Sequence, residues 1–298
     1  MSKVLNFGSI NVDHVYAVEH FVRPGETLTC SDYQRHAGGK GLNQSIALAR
    51  AGAAVHHAGR LGRADAWLLE LLTRSGVDTR HVEIGDEPTG HALIQVNEEG
   101  ENAIVIAGGA NRRLTETQIG LALASFGKND HLLVQNETNA VATIIRAAKT
   151  KGLKVALNPA PMTEDVSAYP LESVDLLIVN ETEAAALTGA ADARHMLGKI
   201  GQAYPTTAVL LTLGAEGAWY ADRNDSFHQP ARRLRAVDTT GAGDTATGFF
   251  LAELIRTGDP RLALALAVDA ATLAVTRRGA ADAIPTRQEV ETWRASPA

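Results

Sequence analysis

The sequence predicts an α/β protein, a three-layer αβα sandwich with a mostly parallel central sheet and a small projecting β-sheet. Three observations predict it. Strand-length apolar runs alternate with helix-length amphipathic runs over most of the 298 residues, the pattern of a parallel sheet covered by helices on both faces. Runs such as LLIVN at 176–180 and AVLLTL at 208–213 are almost continuously apolar, as strands buried on both faces must be. Two stretches, about 13–36 and 91–106, break the alternation with extended, β-branched and polar sequence.

In chain order, residues 4–10 read as a strand, and 42–51, opened by glycines, as a helix. A strand at 55–61 follows, then a helix at 114–125, a strand at 132–135 and a helix at 140–149. Short apolar runs place strands at 154–157 and 176–179, with a helix at 181–187 and a strand at 208–213. Two long helices, about 243–255 and 261–276, close a single domain spanning 1–298. The irregular stretches carry turn signals at Pro24-Gly25 and at Gly100. HALIQVNEEGENAIVIA reads as a hairpin, whose two strands cannot both lie in a parallel sheet.

With 34 acidic against 28 basic residues, the chain carries a formal charge of −6. That argues against nucleic acid or an anionic membrane as a partner, since both reward basic surface. The single cysteine, Cys30, excludes an intrachain disulfide and a cysteine-based zinc site and fits a reducing compartment. No apolar run reaches the ~20 residues that a membrane helix needs; the best candidate, 262–275, is interrupted by Asp269. The opening MSKVLNFGSINVD lacks a signal-peptide pattern, so a cytoplasmic protein is expected.

The strongest chemical motif is DTTGAGD at 238–244. Gly241, Ala242 and Gly243 lead directly into a helix-length apolar run. Such a turn aims unpaired N–H groups at one point with the helix dipole behind them, which binds an anion. In phosphoryl transfer such a nest stabilises charge on the moving group, and Asp244 at its edge can deprotonate an attacking hydroxyl. Taken alone, the motif is also compatible with a capped helix start. A dinucleotide site is the third reading, because Gly241, Gly243 and Ala246 match G-x-G-x-x-[GA]. That fingerprint should close the first strand of a βαβ unit, whereas here it follows the polar VDTT near the chain's end.

A second glycine string, GGKGLN at 38–43, also opens a helix, where Gly39 allows close approach and Asn43 offers a donor and an acceptor. Lys40 in the same string can neutralise phosphate or stand solvated. Asn11 and Asp13, in GSINVD, are placed at the carboxyl end of the first strand, where ligands of open α/β sheets bind. His56-His57 has no metal-ligand spacing and reads as core. Trp67, Trp219 and Trp293 are scattered, which offers no aromatic nucleic-acid platform.

Together GSINVDH, GGKGLNQ, NPAP, NETEA, TLGAEG, DTTGAGD and AVTRRGA resemble, in order and over almost the whole chain, the ribokinase family of carbohydrate kinases. The resemblance implies an ATP-dependent kinase acting on the primary hydroxyl of a pentose, D-ribose first. A kinase for another furanose or a nucleoside is the alternative, and a silent sugar-binding protein of the same fold is a further one. It implies that Asp244 is the base beside the Gly241–Gly243 nest, and that Asn11, Asp13, Gly39, Asn43 and Glu137 hold sugar hydroxyls with Lys40 beside them. Asn180 and Glu183 would organise Mg²⁺, and Thr212, Gly214, Gly217 and Gly243 would hold the nucleotide. Asp238, Thr240, Ala274, Arg277 and Gly279 match a monovalent-cation loop for K⁺, the last four through backbone carbonyls. The chain departs from the family pattern at Ala283, where a hydroxyl often completes that loop, at Val268 in the adenine pocket, and at Ala246 and Thr247 behind the base. The projecting sheet would be a lid, and its unpaired edges predict a homodimer formed through it.

Overall fold

The computed structural model describes residues 2–296. Its main sheet has nine strands. From one edge to the other they are Ser226–Gln229, Ala218–Ala221, Ala208–Thr212, Leu176–Asn180, Lys154–Asn158, His131–Gln135, Lys3–Phe7, Ala54–Gly62 and Asp78–Gly85. The seven from Ala208–Thr212 onward run parallel, while Ala218–Ala221 is antiparallel to its neighbours on both sides.

Alternation along the central strands sends side chains to two separate cores. Val4 and Leu133 join one, with residues of the helices Lys40–Arg50, Trp67–Arg74, Ala242–Thr257 and Pro260–Ala274. Leu5, Phe7, Leu132 and Val134 join the other, with the helices Glu116–Ala124, Val141–Thr150, Glu181–Thr188 and Ala193–Ala203. The three predicted layers follow from this split. No helix among the described residues is long and apolar enough to cross a membrane.

The small sheet has four strands in the order Asp32–Gly38, Asn11–Ala17, Gly90–Val96, Asn102–Ala107. Its last two strands are the antiparallel hairpin expected from the sequence. One expectation is corrected. The first strand of the main sheet stops at Phe7, so Asn11 and Asp13 belong to the small sheet and not to the end of the first strand. The cause is a close backbone crossing: a Cβ on Gly41 would overlap the Gly8 Cα, and the Leu42 N–H donates to the Ser9 carbonyl at 2.8 Å. The helix start therefore docks on the chain as it leaves the sheet and turns it outward.

The strands Asp78–Gly85, Ala218–Ala221 and Ser226–Gln229 were not read from the sequence, and each lies at or beside a sheet edge. Edge positions need no continuous apolar run, so that signal was missing. The helix Ala193–Ala203, also unread, contains two glycines, which lower its intrinsic helix propensity.

The helices Lys40–Arg50 and Ala242–Thr257 pack with almost no space between them. A Cβ on Gly248 would overlap the Ala47 Cβ and stand 2.8 Å from the Leu48 nitrogen. Gly248→Ala is therefore expected to force the two helices apart and destabilise the protein by roughly 1–3 kcal/mol, the usual range for overpacking. Denaturant titration of the variant checks this, and an unchanged midpoint would show that the helices have room to shift.

Candidate active site

Lys3–Phe7 is the strand at which the chain reverses its order of adding strands. It first builds Ala54–Gly62 and Asp78–Gly85 on one side, then returns to add His131–Gln135 on the other. A crevice opens beyond the carboxyl ends of such a pair of strands, where ligands of open α/β sheets bind. The segments that leave these two strands carry Ser9, Asn11 and Asp13 on one side and Glu137 on the other.

Glu137 is tied across the crevice. One carboxylate oxygen accepts from the Ser9 hydroxyl and from the Lys40 backbone N–H at 3.0 Å. Burial pushes its carboxyl above the ordinary value, against the Lys40 ammonium and these hydrogen bonds, while the Asp244 charge pushes it further. Asp13 backs onto Gly38, where any Cβ would overlap its carboxylate. Among the described residues no donor hydrogen-bonds the Asp13 carboxylate. Its carboxyl is pushed up to about 6 by burial, then by the charges of Glu137 and Asp244. Asn11 is buried, and its Oδ1 accepts from Asn111 Nδ2 at 2.7 Å.

Asp244 sits in the first turn of Ala242–Thr257, whose cap, Gly241, has a left-handed φ of 73°. Its Oδ2 accepts from Asn43 Nδ2 at 3.0 Å, and its Oδ1 from Gln44 Nε2 at 2.8 Å. Among the described residues no acceptor engages the backbone N–H groups of Gly243 and Asp244, whereas the Ala242 N–H of the same glycine string donates to the Thr239 carbonyl at 3.3 Å. Lys40 opens the facing helix, and the Asp244, Glu137 and Glu183 carboxylates hold its ammonium above the ordinary value against the effect of burial. Asn43 Oδ1 is buried without a partner among the described residues.

Asn180 and Glu183 form a capping box. The Glu183 N–H donates to Asn180 Oδ1 at 2.8 Å, and the Glu183 carboxylate accepts from the Asn180 N–H and Nδ2 at 3.0 Å each. Burial raises the Glu183 carboxyl; the Asn180 N–H and Lys40 lower it, and Asp244 raises it. Asn180 pairs with Thr212 across the sheet, and Gly214 and Gly217 follow in a tight turn with φ of 54° and 94°.

The loops that carry Asp238, Thr240 and Gly279 are stapled together. Asp238 accepts from the Thr240 N–H at 2.9 Å and hydroxyl at 2.7 Å, and from the Gly279 N–H at 2.8 Å. Burial raises the Asp238 carboxyl, but these bonds outweigh it and leave it below the ordinary value. The Arg277 N–H donates to the Ala274 carbonyl at 3.0 Å, while its guanidinium pairs with Glu289 at 2.7 Å, away from the loop. Gly241 packs against Ala280, so this loop abuts the nest directly.

Asp13, Lys40, Asn43, Glu137, Glu183 and Asp244 are thus linked by hydrogen bonds or direct charge coupling, and the Asp238–Gly279 loops adjoin them. Ser9, Gly38, Gln44 and Asn111 were missed in the sequence. Gly38 and Gln44 stand at the two ends of the GGKGLNQ string, which was the available signal.

A family model for pfkB family carbohydrate kinases matches residues 1–287. The chain belongs to this family. It is 39% identical to a ribokinase of Haemophilus influenzae over 97% of both chains, and 31% identical to a deoxyribokinase of Salmonella typhi over 95% of both. A solved structure of Arabidopsis thaliana ribokinase complexed with ribose and ATP matches it with a TM-score of 0.87, at 28% identity and over 100% of each chain. As a pfkB-family kinase the chain is a phosphotransferase with an alcohol group as acceptor, which excludes the dinucleotide reading of Gly241 and Gly243.

A half-buried carboxylate without a hydrogen-bond donor can accept from hydroxyls of a polyol, and the raised Asp13 sets where that ability ends. Sugar KM is expected to climb as pH falls through about 6, and Asp13→Asn should bind weakly at every pH. The same shift has an opposite sign for folding. A carboxyl raised in the folded state is ionised at a cost above its folded value, and acid relieves that cost. Asp13→Asn should therefore melt a few degrees higher than the native protein at pH 8; an unchanged or lower melting temperature would contradict the stored cost.

Proposed function

We propose that this kinase transfers the γ-phosphoryl group of ATP to the primary hydroxyl of a pentose, D-ribose in the first place, giving ribose 5-phosphate. The observation that carries the reading is the convergence of Asp13, Glu137 and Asn43 on the crevice that holds Asp244 beside free nest donors. The ribokinase relative and the ribose- and ATP-bound neighbour support it. In this reading Asn11, Asp13, Gly39, Asn43 and Glu137 hold the sugar, and Asp244 takes the hydroxyl proton. Lys40 and the Gly241, Ala242 and Gly243 amides receive charge on the transferred group. Asn180, Thr212, Gly214, Gly217 and Gly243 line the nucleotide.

Mg²⁺ suits the donor set. Three carboxyl groups, of Glu137, Glu183 and Asp244, act on one ammonium, that of Lys40, and Asp13 is coupled to Glu137 and Asp244, so bare ATP would be repelled. Both Glu183 oxygens are engaged by Asn180, and among the described residues no three acidic, His or Cys side chains are gathered for a metal. An ion held mainly by phosphates and water, with Glu183 acting on its shell, fits that arrangement. A monovalent cation such as K⁺ would be held by Asp238 and by the carbonyls of Thr240, Ala274, Arg277 and Gly279. It would add positive potential behind the nest.

A second reading, deoxyribose as acceptor, is favoured by the deoxyribokinase relative. A site built to bond a hydroxyl can reject an analogue lacking it by as much as ~10⁴. ADP release measured over ribose, deoxyribose, fructose, 2-keto-3-deoxygluconate and nucleosides should give ribose the highest kcat/KM. A higher value for any other acceptor overturns the ribose assignment.

The small sheet is the lid of this reading, and it also carries the surface for a homodimer. Register places Asp13 on the face of the sheet that carries Ile94, and so Ile104 and, across from Ala92, Ile106. Ile104 and Ile106 are 51% and 55% exposed on an edge strand, a surface that pairing with a second copy would cover. Ile104→Asp is expected to shift sedimentation from dimer to monomer; a native protein that sediments as monomer at micromolar concentration overturns the pairing. The lone cysteine suits a reducing compartment, and we place the enzyme in the cytoplasm.

A further inference from the structure

Behind Asp244 lies a chain of neutral polar side chains that a substrate in the crevice would not touch. Gln44 has no exposed surface, and its Nε2 donates to Asp244 Oδ1 at 2.8 Å and to Asn158 Oδ1 at 3.0 Å. Its Oε1 accepts from Gln135 Nε2 at 2.7 Å, and the same nitrogen donates to Asn6 Oδ1 at 3.0 Å. Asn6 Nδ2 donates to the Gly41 carbonyl at 2.9 Å and to Ser45 Oγ at 2.8 Å. The chain ends at His57, whose ring nitrogens meet Ser45 Oγ at 2.8 Å and the Gly8 carbonyl at 3.1 Å.

The sense of every amide in this chain is set by its partners. The Gly8 carbonyl can only accept, so His57 Nε2 carries the ring proton; burial pushes His57 down to about 4 and leaves Nδ1 bare. Ser45 donates to Nδ1 and must itself accept, which calls for the Asn6 nitrogen. The Gly41 carbonyl independently calls for the same nitrogen. Asn6 thus presents oxygen to Gln135, Gln135 presents nitrogen to Gln44, and Gln44 is left with nitrogen facing Asp244. Asn158 closes the argument from the other side. Its Nδ2 is taken by the Ile178 carbonyl at 3.0 Å, so its oxygen also requires an N–H from Gln44.

We propose that Gln44 is a positioning residue for phosphoryl transfer, a fully buried donor that pins Asp244 Oδ1 from the inside and leaves Oδ2 to take the proton. Oδ2 is the oxygen that accepts from Asn43 Nδ2, on the residue one position nearer the start of the helix. The proposal rests on the reading of Asp244 as the base. In the step, the acceptor O–H proton passes to Asp244 Oδ2 while that hydroxyl oxygen bonds to the γ-phosphorus. The bond from phosphorus to the bridging oxygen breaks, and ADP leaves with its electron pair. A carboxylate free to rotate would lose the alignment, and a displacement of ~1 Å can cost ~10²-fold in rate.

The test is steady-state kinetics and pH profiles of Gln44→Leu, Gln44→Glu and Asp244→Asn, with ribose and MgATP. Gln44→Leu should lower kcat by about 10²-fold with sugar KM changed less than ~3-fold, because Gln44 meets no substrate. Should that variant fail to fold, Gln44→Glu keeps the acceptor that Gln135 needs and the side-chain volume. It sets two carboxyls against each other, which must share a proton. Its rate should approach the native one at low pH and fall along a new alkaline limb, a signature that a purely structural role would not produce. A native-like kcat in Gln44→Leu, a loss carried by KM, or a native-shaped profile in Gln44→Glu each overturns the proposal. Asp244→Asn separates the two claims. A native rate there overturns the base and with it the positioning role. A collapsed rate there, with native Gln44 variants, overturns the positioning role alone.

Discussion

The site depends on the packing of two helices, Lys40–Arg50 and Ala242–Thr257, that lie about two hundred positions apart in the chain. Gly248 lets the second helix press against Ala47 and Leu48 of the first. At that spacing the amides of Asn43 and Gln44 reach both oxygens of Asp244. A methyl group between the helices would move donor and acceptor apart by a distance comparable to the whole tolerance of a hydrogen bond. The two N-termini then open on the same crevice, Lys40 at one and the Gly241 cap at the other. The central sheet fixes where this happens, because Gly41 crosses Gly8 as the first strand ends.

The crevice is electrostatically expensive, and that expense is informative. Asp13, Glu137 and Glu183 are all held above their ordinary values, with burial the largest cause for each. A fold selected for stability alone would place neutral residues there, since an ionised group out of water gains little unless it is paired. Asp238, one loop away, shows the contrary arrangement: three donors bring its carboxyl below the ordinary value. Both kinds of carboxylate occur within one region. In the first kind burial outweighs whatever donors are present, and in the second the donors outweigh burial and hold loops together.

Much of this was legible in the sequence because it is written locally. Glycine strings at helix starts, continuously apolar strands and a hairpin around Gly100 are short-range signals, and each appears where it was expected. The carboxylate at the nest edge was also local. What the sequence did not display are the contacts that only the tertiary fold creates. Asn11 and Asp13 leave the main sheet because Gly8 meets Gly41, a crossing invisible in either segment alone. Asn111 orients Asn11 from a turn a hundred positions away. The N-x-x-E string at Asn180 carried a capping-box signal of its own, which was read only as a ligand set.

That capping box changes how Glu183 can act. With both oxygens committed to Asn180, it is poorly placed to give up a bond and seize a metal directly. Its charge, however, is not consumed by neutral donors. It still reaches Lys40 and Asp244, as the shifts of both Lys40 and Glu183 show. A carboxylate locked by its own helix cap is a fixed negative point whose position costs nothing to reorganise during a reaction, the property that makes preorganised charge effective. The helix cap and the site are therefore one device: the bonds that start Glu181–Thr188 are the same bonds that aim Glu183 at the crevice.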